Sequence, residues 1–119
     1  MRTHLRRRAT ALVAVAALPL ALSACGTDDV TRSIAAAPVG NAPGFTPLAI
    51  TVDQEDHVVI RVGNGTAREH GFTIEGYRRV TVVQPGETKE IRFKATRGGT
   101  FKIFCQLHPA HQTATLIVQ

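Results

Sequence analysis

Apolar and polar residues alternate in short runs from residue 47 to the end of the chain, and turn-forming residues separate the runs. The segment 88–93 alternates clearly, and the pairs Pro85-Gly86 and Gly98-Gly99 mark turns on either side of it. Alternation of this kind is typical of half-buried β-strands, and no amphipathic helix is apparent. The pattern predicts seven strands, at residues 48–52, 57–62, 72–74, 80–83, 88–93, 100–104 and 113–118.

Short strands that follow one another with turns between them, and without helices, predict an all-β domain. The spacing favours an antiparallel sandwich or barrel in which one face of each sheet meets water. A domain that spans only residues 47–119 can bury a modest core. A metal ion that binds the folded state alone would therefore add stability.

The first 24 residues have the layout of an export signal. Four arginines precede a short apolar run from Ala11 to Leu22, which is too short and wrongly flanked for a comfortable membrane span. The sequence Leu22-Ser23-Ala24-Cys25 resembles a bacterial lipobox, in which cleavage precedes a cysteine that then carries lipid. We expect a signal peptide at 1–24 and lipidation of Cys25, with an ordinary secretory signal and a chance cysteine as the alternative.

Residues 25–46 are rich in alanine, proline, glycine, threonine and aspartate and show little periodicity. This composition predicts a flexible tether between the lipid and a domain at 47–119. The formal net charge of +5 arises mostly from the arginines of the signal. The remaining chain has ten basic and nine acidic side chains, a net charge of +1, which argues against binding of nucleic acid.

Cys105, His108 and His111 follow one another at Cys-x2-His-x2-His spacing between the last two predicted strands. Copper and zinc select a soft sulfur combined with imidazole nitrogens. If Cys25 carries lipid, Cys105 is left without a cysteine partner in an exported protein, and metal ligation would explain that. The plainer alternatives are a buried cysteine beside surface histidines.

A fourth metal ligand must come from elsewhere in the chain. His70 follows a turn-rich stretch and begins a predicted strand, so it can meet the Cys/His loop at one end of a sandwich. It could instead be a histidine that only caps the turn. His57 starts another strand beside Asp56, and we expect it to be an ordinary surface residue.

These residues resemble those of cupredoxins, and the resemblance covers residues 47–119. It rests on Asn64, His70 and Phe72, and on the stretch from Gly99 to Pro109 that contains Phe101, Phe104, Cys105 and His108. The resemblance implies a Greek-key β-sandwich that binds one copper ion through His70, Cys105 and His108. It also implies that His108 forms a small apolar docking patch with Leu107, Pro109 and Ala110.

The sequence departs from this family at the axial ligand, because His111 stands where the family has a methionine. The only methionine of the chain is Met1. An imidazole would bind more strongly than a thioether and would favour Cu(II). We therefore hypothesise a centre shifted from blue toward a tetragonal, redder or colourless site with a lowered potential. The alternative is that His111 points to solvent and leaves three ligands.

The sequence thus favours a monomeric, lipid-anchored copper protein that carries single electrons at the outer face of the cytoplasmic membrane. Its partner would be a redox protein, and no catalytic activity is expected. Three alternatives stay open. They are a copper-trafficking or resistance protein that exchanges copper with a partner, a domain with a structural zinc ion, and an interaction module without a metal.

Overall fold

The computed structural model describes residues 13–17 and 28–119. Residues 13–17 are exposed and have no regular secondary structure. In these two described ranges, no helix has the length and apolar character needed to cross a membrane. The rest of the predicted export signal, including the lipobox cysteine Cys25, lies outside the described residues.

The described residues form nine strands and no helix. All seven predicted strands are present, with ends that differ by at most two residues from those expected. The strands are β1 (Asp29–Val39), β2 (Ala42–Thr46), β3 (Ala49–Val52), β4 (His57–Asn64), β5 (His70–Ile74), β6 (Arg79–Val83), β7 (Thr88–Lys94), β8 (Gly99–Phe104) and β9 (Ala114–Val118).

The strands form two sheets, with the orders β2-β1-β4-β7 and β3-β9-β8-β5-β6. Their apolar faces pack against each other, and the rings of Phe45 and Phe72 meet edge to face across the interior at 5.6 Å. The prediction of an all-β sandwich is confirmed. The expectation of purely antiparallel pairing is wrong for β1 with β4 and for β3 with β9, which pair in parallel. Parallel pairing is possible here because long connections bring each second strand back from the same end.

The predicted tether at 25–46 is wrong from Asp29 onward, because residues 29–46 form β1 and β2 of the first sheet. Ile34, Ala36 and Phe45 are buried there, and β1 pairs with β4 from Asp29 to Ala36. Burial of one large apolar side chain such as Phe45 contributes about 1.5–3 kcal/mol. The small residues of this stretch hid its strand character, since consecutive alanines show no alternation. The described part of the domain therefore includes residues 29–46 as well.

One end of the sandwich collects the segments that carry the candidate ligands. Strand β4 ends there at Asn64, β5 begins there at His70, and β8 ends there at Phe104. Strands β5 and β8 lie side by side, with Thr73 opposite Phe104. The loop before β5 and the loop after β8 consequently meet at this end, which we call the upper end.

Candidate metal centre

Four side chains with metal-binding atoms converge at the upper end. The ligand atoms of His70, Cys105, His108 and His111 all lie within 4.8 Å of one another. The Sγ atom of Cys105 is 3.6 Å from Nδ1 of His108. His70 and Cys105 are buried, whereas His108 and His111 are half-buried. The structure thus brings together all four predicted ligands, and it leaves His57 outside the group, at the opposite end of β4.

Two consecutive turns bring the three ligands of the loop to one side. The backbone N–H of His108 donates to the carbonyl of Cys105 at 3.2 Å, and the N–H of His111 donates to the carbonyl of His108 at 3.0 Å. Each turn advances the chain by three residues, so the Cys-x2-His-x2-His spacing matches the turn geometry. Gln112 then donates to the carbonyl of Pro43 at 3.0 Å, which fastens the end of the loop to β2.

The buried side chain of Asn64 organises the loop that leads to His70. Its Nδ2 donates to the carbonyls of Arg68 at 2.7 Å and Val83 at 2.9 Å. Its Oδ1 accepts from the backbone N–H and the hydroxyl of Thr66, at 2.9 and 2.7 Å. Asn64 therefore fixes the loop before β5 although it is not a ligand. The sequence carried a signal for this role, because an asparagine at the end of a strand often forms an Asx turn.

The environment of His70 and His111 favours their neutral, metal-binding form. Burial lowers the pKa of His70, and the nearby His108 lowers it further. Burial also lowers the pKa of His111, with contributions from His108 and His70. A histidine must be neutral to bind a metal ion, and a lowered pKa favours the neutral ring.

The donor set fits one copper ion. Sulfur and imidazole ligands suit copper, while a tetrahedral set of one thiolate and three imidazoles also suits zinc. The backbone N–H of Gly71 donates to the Sγ of Cys105 at 3.2 Å, and this buried hydrogen bond helps to orient the sulfur. Hydrogen bonds of this kind around a cysteine ligand tune the redox potential of the metal.

The upper end is open to solvent beside the imidazoles. A cavity of about 470 Å³ is bordered by His70, His108 and His111 and by the β1–β2 turn. Leu107 is 40% exposed, and Pro109 and Ala110 are exposed next to it. These three exposed residues are the sequence neighbours of His108.

Comparison with known proteins relates the chain to a cupredoxin-like family and to a copper-containing protein. The model of the Cupredoxin-like domain family matches residues 11–118. A copper-containing nitrite reductase of Neorhizobium galegae is 36% identical over 74 residues, which cover 56% of this chain and 19% of that protein. The chain thus spans about a fifth of the length of that relative.

Solved structures show the same fold at low sequence identity. A copper nitrite reductase from Nitrosomonas europaea has a TM-score of 0.66 at 18% identity, over 77% of this chain and 42% of that chain. Auracyanin A, a blue copper protein from Chloroflexus aurantiacus, has a TM-score of 0.62 at 18% identity. That match covers 77% of this chain and 100% of auracyanin A. A purple cupredoxin from Nitrosopumilus maritimus has a TM-score of 0.55 at 17% identity, over 73% of this chain and 98% of that chain.

Proposed function

Because the chain belongs to the cupredoxin-like domain family, we propose that it is an exported, lipid-anchored copper protein that carries single electrons. The observation that supports this most directly is the convergence of one thiol and three imidazoles within 4.8 Å. Two distant parts of the chain supply these groups, and the two sheets hold them in place. Such a constrained site changes little in geometry between redox states.

Each ligand has a distinct role in the proposed centre. Copper, when bound, supplies one-electron chemistry by cycling between Cu(I) and Cu(II). Cys105 offers the soft, buried thiolate at the end of β8. His70 supplies an imidazole nitrogen from the start of β5, and His108 supplies one from the loop after β8. His111 supplies a further imidazole from the same loop.

We propose a carrier and not an enzyme. The relatives include both copper nitrite reductases and auracyanin A. The chain covers all of auracyanin A but less than half of the Nitrosomonas enzyme chain. Electrons would enter and leave through His108, since it is half-buried and its neighbours in the chain, Leu107, Pro109 and Ala110, are exposed. A partner with an apolar contact surface fits this patch.

The start of β1 at Asp29 limits the distance between the domain and the proposed lipid on Cys25. Only three residues separate Cys25 from Asp29, which allows a reach of at most about 14 Å in an extended chain. Strand β1 starts at the end of the sandwich opposite the candidate ligands. Strand β4 has eight residues and therefore spans about 26 Å toward the upper end. A lipid on Cys25 would hold the copper site on the side that faces away from the membrane.

The anchor is tested by replacing Cys25 with serine. In cells grown with labelled fatty acid, we expect the wild type to carry the label and Cys25→Ser to lack it, because serine offers no thiol for the lipid. Cys105→Ser is the matched control and should keep the label. A wild type without label, or label that survives in Cys25→Ser, would contradict the anchor, without bearing on the metal site.

The carrier function is tested by voltammetry and electron paramagnetic resonance on the copper-loaded domain. We expect one copper per chain, reversible one-electron cycling, and a Cu(II) signal that reports thiolate ligation. Copper that does not cycle but passes to an acceptor protein would instead support trafficking, which the additional imidazole of His111 favours. Zinc in protein isolated from its native host would point to a structural site.

The replacement His111→Met tests the unusual fourth position. The ring of His111 stacks on His108 at 4.5 Å and lies 5.2 Å from the ring of His70. If the imidazole favours Cu(II) over Cu(I) by 10- to 100-fold relative to a thioether, His111→Met raises the potential by about 60–120 mV. Voltammetry measures this shift, and the absorption of the variant should move toward that of blue copper. Identical potentials and spectra in the wild type, His111→Met and His111→Ala would show that His111 is not a ligand.

A further inference from the structure

Gln106, the residue after the proposed thiolate ligand, bridges two strands of the second sheet. Its Oε1 accepts a hydrogen bond from the hydroxyl of Thr73 in β5 at 2.7 Å. Its Nε2 donates to the backbone carbonyl of Thr81 in β6 at 2.9 Å. The side-chain amide therefore ties the start of the ligand loop to the body of the sandwich.

The path of this side chain crosses directly over Gly71. A Cβ atom on Gly71 would lie 2.2 Å from Oε1 and 2.3 Å from Cδ of Gln106. These separations are far below van der Waals contact, so the amide of Gln106 would have to move to relieve them. Gly71 has no positive φ that would itself demand glycine. Its lack of a side chain serves to make room for the amide of Gln106.

Gly71 also contacts the sulfur through its backbone. Its N–H donates to Sγ of Cys105 at 3.2 Å, in a buried position. Three residues thus form a closed arrangement. Cys105 is bonded to Gln106 along the chain, Gln106 packs over Gly71, and Gly71 donates to Cys105.

We propose that Gln106 is a positioning residue that holds the Cys105 sulfur against the Gly71 amide, a role that rests on the proposed metal function of Cys105. The amide of Gln106 presses the first turn of the ligand loop onto β5, and this keeps the N–H to sulfur bond short. An N–H directed at a cysteine ligand stabilises negative charge on the sulfur and tunes the metal. Outer-shell groups of this kind typically change metal affinity by about 10- to 100-fold when removed.

The first experiment uses the metal-free protein and compares Gln106→Ala with Gln112→Ala. Gln112 is the matched control, because it is an exposed glutamine at the other end of the same loop. Amide hydrogen exchange by NMR follows the Gly71 N–H. We expect at least tenfold faster exchange in Gln106→Ala and no change in Gln112→Ala. Equal exchange in both variants and the wild type would overturn the proposal.

The second experiment tests the steric part with Gly71→Ala and the double variant Gly71→Ala/Gln106→Ala. The methyl group of Gly71→Ala collides with the amide, whereas in the double variant it has space. We expect Gly71→Ala to lower the urea midpoint of unfolding less in the Gln106→Ala background than in the wild type. An equal loss in both backgrounds would contradict the packing of Gln106 over Gly71. If Gly71→Ala does not fold, a double variant that folds gives the same support, and a double variant that fails to fold although Gln106→Ala folds gives the same contradiction.

The third measurement links the arrangement to the metal. Copper affinity in competition with a chromophoric chelator should fall 10- to 100-fold in Gln106→Ala and stay unchanged in Gln112→Ala. An unchanged affinity in Gln106→Ala would overturn its role in positioning the ligand. A wild type that binds no copper would overturn the proposed function alone, because the exchange and unfolding measurements need no metal.

Discussion

Replacing Cys105 with serine is expected to lower the affinity for Cu(I) by more than 100-fold. Cys105 is 2% exposed and supplies the only sulfur of the candidate site. Cu(I) prefers soft ligands, and a serine hydroxyl is a hard donor that stays protonated near neutral pH. This loss of Cu(I) affinity should exceed the factor of about 10–100 that is typical when a residue hydrogen-bonded to a metal ligand is removed. Competition with a chromophoric Cu(I) chelator measures the change.

The fold should survive this substitution, because serine is nearly isosteric with cysteine and its hydroxyl oxygen can also accept the hydrogen bond from the Gly71 N–H. Circular dichroism of the metal-free protein checks this. His57→Ala removes an imidazole at the opposite end of the sandwich and serves as the control, with wild-type affinity expected. Wild-type Cu(I) affinity in a folded Cys105→Ser protein would place the metal elsewhere and overturn the proposed site.

Replacing Asn64 with alanine is expected to destabilise the metal-free domain by about 3 kcal/mol, because it leaves the buried carbonyl of Val83 without a donor and removes the hydrogen bonds to Thr66 and Arg68. Asn64 is 3% exposed, and its amide joins Thr66, Arg68 and Val83. Among the described residues, every buried side-chain nitrogen or oxygen has a hydrogen-bond partner, so the native domain has no such defect to begin with. A loss of this size should lower Tm by more than about 10 °C in a domain of this length.

Urea unfolding of Asn64→Ala measures the free energy directly. Asn41→Ala is the matched control, because Asn41 is an exposed asparagine in the β1–β2 turn. Its effect should stay within about 0.5 kcal/mol, as is usual for surface substitutions. Because Asn64 fixes the loop before His70, copper affinity should fall in the same variant. An unfolding midpoint equal to that of Asn41→Ala would show that the loop is held by other contacts.

Much of the sheet structure could be predicted because alternation is a local property. Thr88–Lys94 alternates polar and apolar residues, and it forms β7 with alternating exposed and buried side chains. The stretch 29–46 could not be predicted in this way. Its strand β1 contains Ala35, Ala36 and Ala37 in succession, and alanine gives no contrast between a buried and an exposed face. The pairing of β1 with β4 is a long-range contact that the local sequence does not encode.

The ligands could be named from the sequence, because the spacing of Cys105, His108 and His111 matches two consecutive turns. The residues that position these ligands were harder to identify. Gln106 and Gly71 have no pattern of their own, and their relation appears only when β5 and the ligand loop lie against each other. The contribution of Asn64 likewise depends on Val83, which lies 19 residues away in the chain.

By itself, the sequence determined the strand periods, the kinds of ligand atom and the local turns that carry three of them. The tertiary structure decided that His70 reaches the sulfur, that β1 and β2 complete a sheet, and that the amide of Gln106 lies over Gly71. The reason is physical: periodicity and turns arise from residues that are neighbours in the chain, whereas these contacts form only when distant strands pair and the two sheets pack together.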